Sequence, residues 1–269
     1  MPVDDAGHME ERREALLRVL AYAAEQFLRS SDWRTGIDDV LARLGAAADV
    51  SRVHVFENRP GDEELYAVHR HEWLAQGVAS DAGRFEVGGR PYGARGLNRW
   101  RDALSRGELI GGPVGRLPGP ERELLEEHGI RSVLVVPIFA GDDWWGTFGF
   151  DDIRHDREWD ANEHELLRAA AGILGAAIQR SRATELARLN QERLSLAMDG
   201  TDQGLWDWDI PADTIFFDER WTSILGYHRG EVMPSFDGWE ALVHPEDLEQ
   251  VATALGSNLS GVTTVYSAE

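Results

Sequence analysis

Of the 269 residues none is cysteine, and all 27 basic residues are arginine, so lysine is absent as well. Without cysteine there is no disulfide, thiolate zinc site, cysteine nucleophile or thioether-linked chromophore. Without lysine there is no phosphate-loop lysine, no kinase-type lysine and no Schiff-base chemistry. Long apolar runs are missing too. The longest, Val133 to Ala140, is interrupted by Pro137 and falls far short of the ~20 residues that span a bilayer. Positive charge is scarce: 48 acidic residues leave a net charge of −21, which repels a phosphate backbone and argues against nucleic-acid partners. Residues Met1 to Arg13 are acidic and polar, unlike a secretory signal, so a cytoplasmic location without membrane insertion is expected.

What is present is ordinary for a folded chain: 42% apolar and 28% charged residues, with room for one large or two small domains. Leu16, Leu17, Leu20, Ala24, Phe27 and Leu28 recur with a helical period, and Ile37, Val40, Leu41 and Leu44 predict a second helix. Ser51 to Asn58 and Leu65 to Trp73 alternate as strands around the turn Arg59-Pro-Gly-Asp62 and predict a hairpin. From Ala75 to Pro120 the chain is glycine-rich and irregular, with one short helix expected around Asn98 to Ser105. Such a stretch suits a pocket wall or lid. A helix over Glu121 to His128 closes at Gly129, and strands Ser132 to Phe139 and Trp144 to Phe150 follow.

Asn162 opens a helical pattern that reaches Met198, about 37 residues against an average near 11–12. Leu167, Leu174, Ile178, Leu189 and Leu196 mark its apolar stripe, with a phase break between Leu174 and Leu189. A partner helix is the economical cover for such a stripe, which predicts a parallel coiled-coil homodimer. Beyond it, Gly204 to Asp209 and Thr214 to Phe217 read as strands, and Asp218 caps a helix containing Trp221. His244-Pro-Glu-Asp247 is expected to open another helix with Pro245 in its first turn.

His69 and His71, two apart on a strand, would share a face, with His54 on the neighbouring strand. Three histidines suit a metal or haem, but no carboxylate cluster accompanies them, and a pocket-lining role is the better reading; no metal site is assigned. His164-Glu-Leu-Leu-Arg168 looks superficially like the phospho-accepting box of histidine kinases, but lacks the proline that follows there and fits a structural helix. Gly111-Gly-Pro-Val-Gly115 has no lysine to complete a phosphate cradle. No catalytic residue is assigned.

Residues 14–182 resemble a GAF domain, through Ser51-Arg-Val-His-Val-Phe-Glu57, His71-Glu-Trp73, Gly129 to Ile138, Trp145-Gly-Thr-Phe-Gly-Phe-Asp151 and the closing Trp159-Asp with Glu163 and Leu166-Leu167. Residues 193–269 resemble the N-terminal part of a PAS domain, through Leu194-Ser-Leu-Ala197, Gly204 to Asp209, Arg220-Trp221, Leu225-Gly-Tyr227 and Val243 to Asp247. The implied fold is α+β: an antiparallel GAF sheet flanked by helices, a connecting helix over 162–198, and a PAS α/β domain that lacks its last strands.

The resemblance implies a sensory input module of a bacterial signalling protein, with its effector in the same polypeptide: a diguanylate cyclase/phosphodiesterase or a histidine kinase. A ligand-free dimerisation scaffold is the alternative. Expected ligand contacts are His69, His71, Trp73, Trp100, Phe148 and Phe150, because aromatic walls suit a small-molecule pocket. Trp206, Trp208 and Trp221 are the expected core or pocket of the second domain. The cofactor is left open, since the absent cysteine excludes a cysteine-linked bilin and a flavin adduct, and the pattern speaks against haem.

Overall fold

The structure is a computed structural model that describes residues 3–61, 64–80, 89–93, 97–201, 203–228 and 230–267. It divides into two compact units, Met1–Leu186 and Ala187–Glu269. The irregular middle read from the sequence falls in part on 81–88 and 94–96. Both lie outside the described residues.

The first unit opens with helix α1 (Val3–Arg29) and helix α2 (Ile37–Ala48). The buried seam of α1 is Leu16, Val19, Ala23 and Phe27, while Leu17 and Leu28 point to solvent. Spacings of three and four residues bring these four onto one stripe. Strands β1 (Arg52–Pro60) and β2 (Leu65–Leu74) follow, then the two-residue β3 (Arg90–Pro91), helix α3 (Asn98–Ser105) and β4 (Ile110–Pro113). Helix α4 (Gly119–Glu127) ends with Gly129 at φ +68, a left-handed position that glycine occupies without strain. Strands β5 (Ser132–Ala140) and β6 (Asp143–Asp152) complete an antiparallel six-stranded sheet of order β3-β2-β1-β6-β5-β4. Two of its strands, β3 and β4, lie inside the stretch that reads as irregular in the sequence.

Helix α5 (Ala161–Thr201) begins with a reciprocal cap. Asp160 accepts from the Glu163 amide at 2.9 Å, and Glu163 accepts from the Asp160 amide at 3.0 Å. Arg157, half-buried and lying 4.1 Å over the Trp159 ring, ion-pairs with Glu163 and donates to the Ala48 carbonyl at 2.6 Å. Farther along, Arg180 donates to the carbonyls of Phe27 and Ser30, closing the end of α1. Helices α1, α2 and the first half of α5 cover one sheet face with a shared apolar core. Helices α3 and α4 bound a second core against the other face.

That arrangement corrects one expectation. Leu167, Leu174 and Ile178 are at most 1% exposed within this first core, so they are not free to pair with another chain. A helix that packs on its own sheet buries its stripe there first. Only farther along do apolar residues emerge: Leu186, Leu194 and Leu196 are exposed and Leu189 is half-buried.

In the second unit, β7 (Trp206–Asp209) and β8 (Thr214–Phe217) pair antiparallel. Helix α6 (Glu219–Ile224) starts at Asp218, whose carboxylate accepts from the Trp221 amide at 2.6 Å. Helix α7 (Phe236–Glu240) precedes α8 (Leu248–Leu259). The last helix starts after Asp247, so Pro245 lies in the preceding turn rather than in its first turn. Among the described residues, no helix is long and apolar enough to cross a membrane.

Candidate functional site

Alternation along the sheet decides what each strand offers to each face. On β1, Val53 and Val55 enter the main core, which leaves Arg52, His54 and Phe56 on the opposite side. On β6, Phe148 and Phe150 enter the core, and Thr147, Gly149 and Asp151 face the other way. Val133 and Val135 of β5 join that second face. Trp100 and Leu104 of α3 form a roof with Leu124 and Leu125 of α4. Between roof and sheet lies a cavity of about 110 Å³.

Most of its polar groups, Arg52, His54, Glu72, His128 and Asp151, gather at one end. Arg52 and Asp151 are opposite each other across the β1–β6 pair, 7% and 2% exposed. His54 Nδ1 lies 3.8 Å from an Asp151 carboxylate oxygen, and Arg52 reaches the His128 carbonyl at 3.5 Å. The His54 ring lies across Gly149 so closely that a Cβ there would overlap it, which ties the glycine to the imidazole's position. At the apolar end, Tyr92 is buried and donates to Asn58 at 2.9 Å; burial pushes its phenol well above the ordinary range, so it stays neutral. In the wall, the Trp100 indole N–H is buried without an acceptor.

Of the six ligand contacts read from the sequence, only Trp100 lines this cavity. Phe148 and Phe150 lie with tilted rings 5.1 Å apart in the core on the other face. His71 and Trp73 are also on that far side. His71 meets Asp38 of α2 at 3.0 Å and the Trp33 ring edge at 5.4 Å, and Trp73 packs against Gly45. The cause is a register irregularity: Val55 pairs with His71 and Phe56 with His69, so Arg70 is the extra residue of a bulge. His69 and His71 therefore face opposite sides of the sheet, and a three-histidine site does not form. His69 stays on the cavity face, 5.2 Å from Phe56, but outside the cavity lining. Among the described residues, no group of three histidines and carboxylates is placed to hold a metal.

The residues missed carry a weak signal. Arg52, His54 and Phe56 repeat with a period of two, as do Thr147, Gly149 and Asp151. Period alone does not say which face of a strand is core.

In the second unit, Trp206 and Trp208 border a small void of about 10 Å³ with Phe236 and Trp239. Trp221 is not part of it; its ring stacks on Phe217 at 4.1 Å. The void holds at most one water.

These features meet a family signature. The GAF domain profile matches residues 32–178, more than half of the chain, and the protein belongs to the GAF domain family. A PAS fold profile matches 214–269, so a GAF domain precedes a PAS region in one α+β chain. The chain is 36% identical over 180 residues to the methanogenesis regulatory histidine kinase FilI of Methanothrix harundinacea, covering 67% of this chain and 20% of that protein. An uncharacterized protein of Azorhizobium caulinodans is 27% identical over 177 residues, 64% of this chain and 24% of its own length. The chain thus spans about a fifth to a quarter of the curated relatives it matches.

Among solved structures, a far-red-absorbing dark state with bound biliverdin aligns with a TM-score of 0.52. It is 21% identical, over 61% of this chain and 99% of its own. A phycocyanobilin-bound GAF domain from a cyanobacterial phytochrome aligns at 0.50, with 17% identity over 63% of this chain and 96% of its own. Those likenesses establish the fold. Without cysteine this chain cannot hold a bilin through a thioether link. The cavity of about 110 Å³ is also on the scale of a void that binds one benzene ring, about 150 Å³, whereas a bilin has four rings.

GAF and PAS regions are sensory domains rather than catalytic ones. The chain is accordingly read as the sensory part of a signal-transduction protein.

Proposed function

We propose that this segment is the input module of a larger signalling protein. It binds a small molecule in the cavity under α3 and α4 and passes the change to α5. The supporting observation is geometric: cavity and helix lie on opposite faces of the same two strands. Thr147, Gly149 and Asp151 line the cavity, while their neighbours Phe148 and Phe150 pack in the core that holds Leu167, Leu174 and Ile178. A shift of β6 on ligand entry is felt by α5 one residue away.

Beyond the core, α5 carries Leu186, Leu189 and Leu196 at steps of three and seven. We read these as the seam of a parallel homodimer whose helix pairing sets the state of an effector in the same polypeptide, of the histidine kinase or diguanylate cyclase/phosphodiesterase type. The relative FilI, a histidine kinase by name, supports the first type. A ligand moves such an equilibrium only by its differential affinity; going from 1:99 to 99:1 takes about 5.5 kcal/mol.

Native mass spectrometry tests both halves of this reading. A dimer that retains a small molecule supports it. A dimer without one, together with no response of helix pairing to any added compound, turns the module into a scaffold. A strict monomer removes the relay.

A further inference from the structure

We propose that the cavity selects an uncharged aromatic molecule of a single ring, whose one polar substituent both donates and accepts hydrogen bonds; a phenol is the simplest member. This rests on the reading of the cavity as the sensory site and goes further by naming the ligand class.

Size sets the first limit. A cavity of about 110 Å³ suits one ring rather than a fused or linear polycycle, on the scale of the benzene-binding void. Wall chemistry sets the second. Phe56, Trp100, Leu104, Leu124 and Val135 give the middle of the cavity no charge, and aromatic surfaces there favour edge or offset contacts with a ring.

Charge sets the third limit. The polar end holds one buried cation, Arg52, and one buried anion, Asp151, facing each other across two strands; Glu72, the third charged residue of the lining, is half-buried and its carboxylate is held at the surface by the Ser80 hydroxyl, which donates to it. A carboxylate entering there meets Asp151, and an ammonium meets Arg52. Either leaves an uncompensated buried charge, which costs far more than a neutral group. A neutral ring without a polar atom leaves these groups with less hydrogen bonding than water gives them. A hydroxyl avoids both penalties: its O–H donates to the Asp151 carboxylate, and its oxygen accepts from Arg52 or the His54 imidazole.

Calorimetric titration of the whole chain with phenol, benzoate, benzylamine and toluene tests the order of affinities. Phenol is expected to bind at least about tenfold more tightly than the other three, a difference of ~1.4 kcal/mol. Ala67→Phe, which places a ring inside the cavity, is expected to abolish phenol binding. Amide shifts of Gly149 and Leu104 in a 1H–15N spectrum locate the bound ring without any substitution.

Benzoate or benzylamine binding as tightly as phenol overturns the ligand class while leaving the cavity a sensory site. Phenol shifts confined to other regions also overturn it. If no compound binds and native mass spectra show a bare chain, the proposal and the sensory reading fail together.

Discussion

Arg99 of α3 holds Glu121 of α4 through two nitrogens, Nε to Oε1 at 2.7 Å and Nη2 to Oε2 at 2.5 Å. The two ends of this pair are unequally placed: the Glu121 side chain is 2% exposed and that of Arg99 49%. The helices that roof the cavity are therefore fastened to each other as well as to the sheet.

That asymmetry predicts unequal mutants. Arg99→Ala strands a buried carboxylate and is expected to cost about 1–3 kcal/mol. Glu121→Gln leaves an arginine that water can solvate, so its cost is expected to be smaller. Urea unfolding of both variants checks the order, and equal losses contradict it.

Leu174 and Leu196 lie on one helix but in different surroundings, at 1% and 71% exposure. Leu174→Ala is expected to destabilise the first unit by about 2–5 kcal/mol through the lost contacts and the cavity left behind. Leu196→Ala leaves that unit intact and weakens the proposed dimer. Thermal melts and sedimentation velocity separate the two effects. In the same way, a cysteine introduced at Leu189 is expected to crosslink between chains, and one at Leu174 is not.

His69 titrates below its ordinary value near 6.5, because burial disfavours its charged form and the neighbouring His54 and His71 add to this against Glu72. The unfolded chain thus binds the proton more tightly, so stability is intact above about pH 6.5 and declines as pH falls below it. His69→Gln is expected to flatten this limb of a stability–pH curve. An unchanged slope removes His69 as its source.

Asp152 is held below the usual carboxylate range. Burial pushes it up, but the Arg154 amide at 2.8 Å and the side chains of His155 and Arg154 outweigh that. It also accepts from the Ser51 hydroxyl at 3.2 Å, tying the residue before β1 to the end of β6. Its contribution is complete above about pH 3.8 and is lost as pH falls through the lower folded value. Asp152→Asn is expected to lower stability at pH 7 and to converge with the parent chain in strong acid, measured by urea unfolding across pH.

Much of the fold was legible because short-range physics writes it. The hairpin of β1 and β2 follows from alternation around a Pro-Gly turn, and α3 lies over Asn98–Ser105 as its pattern indicates. Strands β3 and β4 are not legible in the sequence, because edge segments of two and four residues, containing proline and glycine, carry no periodic signal. Trp100 is legible because aromatic walls suit a small-molecule pocket. Arg52 and Asp151 carry no such signal, since they come together only when β1 pairs with β6, about 100 positions away.

By itself the sequence determined the chemistry ruled out, the order of the longer elements and the family, because composition, periodicity and motifs are properties of the chain alone. Tertiary structure decided which side each residue serves. One extra residue at Arg70 turns His71 away from His69, and packing of α5 on its own sheet takes Leu167, Leu174 and Ile178 out of reach of any partner. Pleat parity and burial are settled by pairing across the sheet, where a shift of one position exchanges core for cavity.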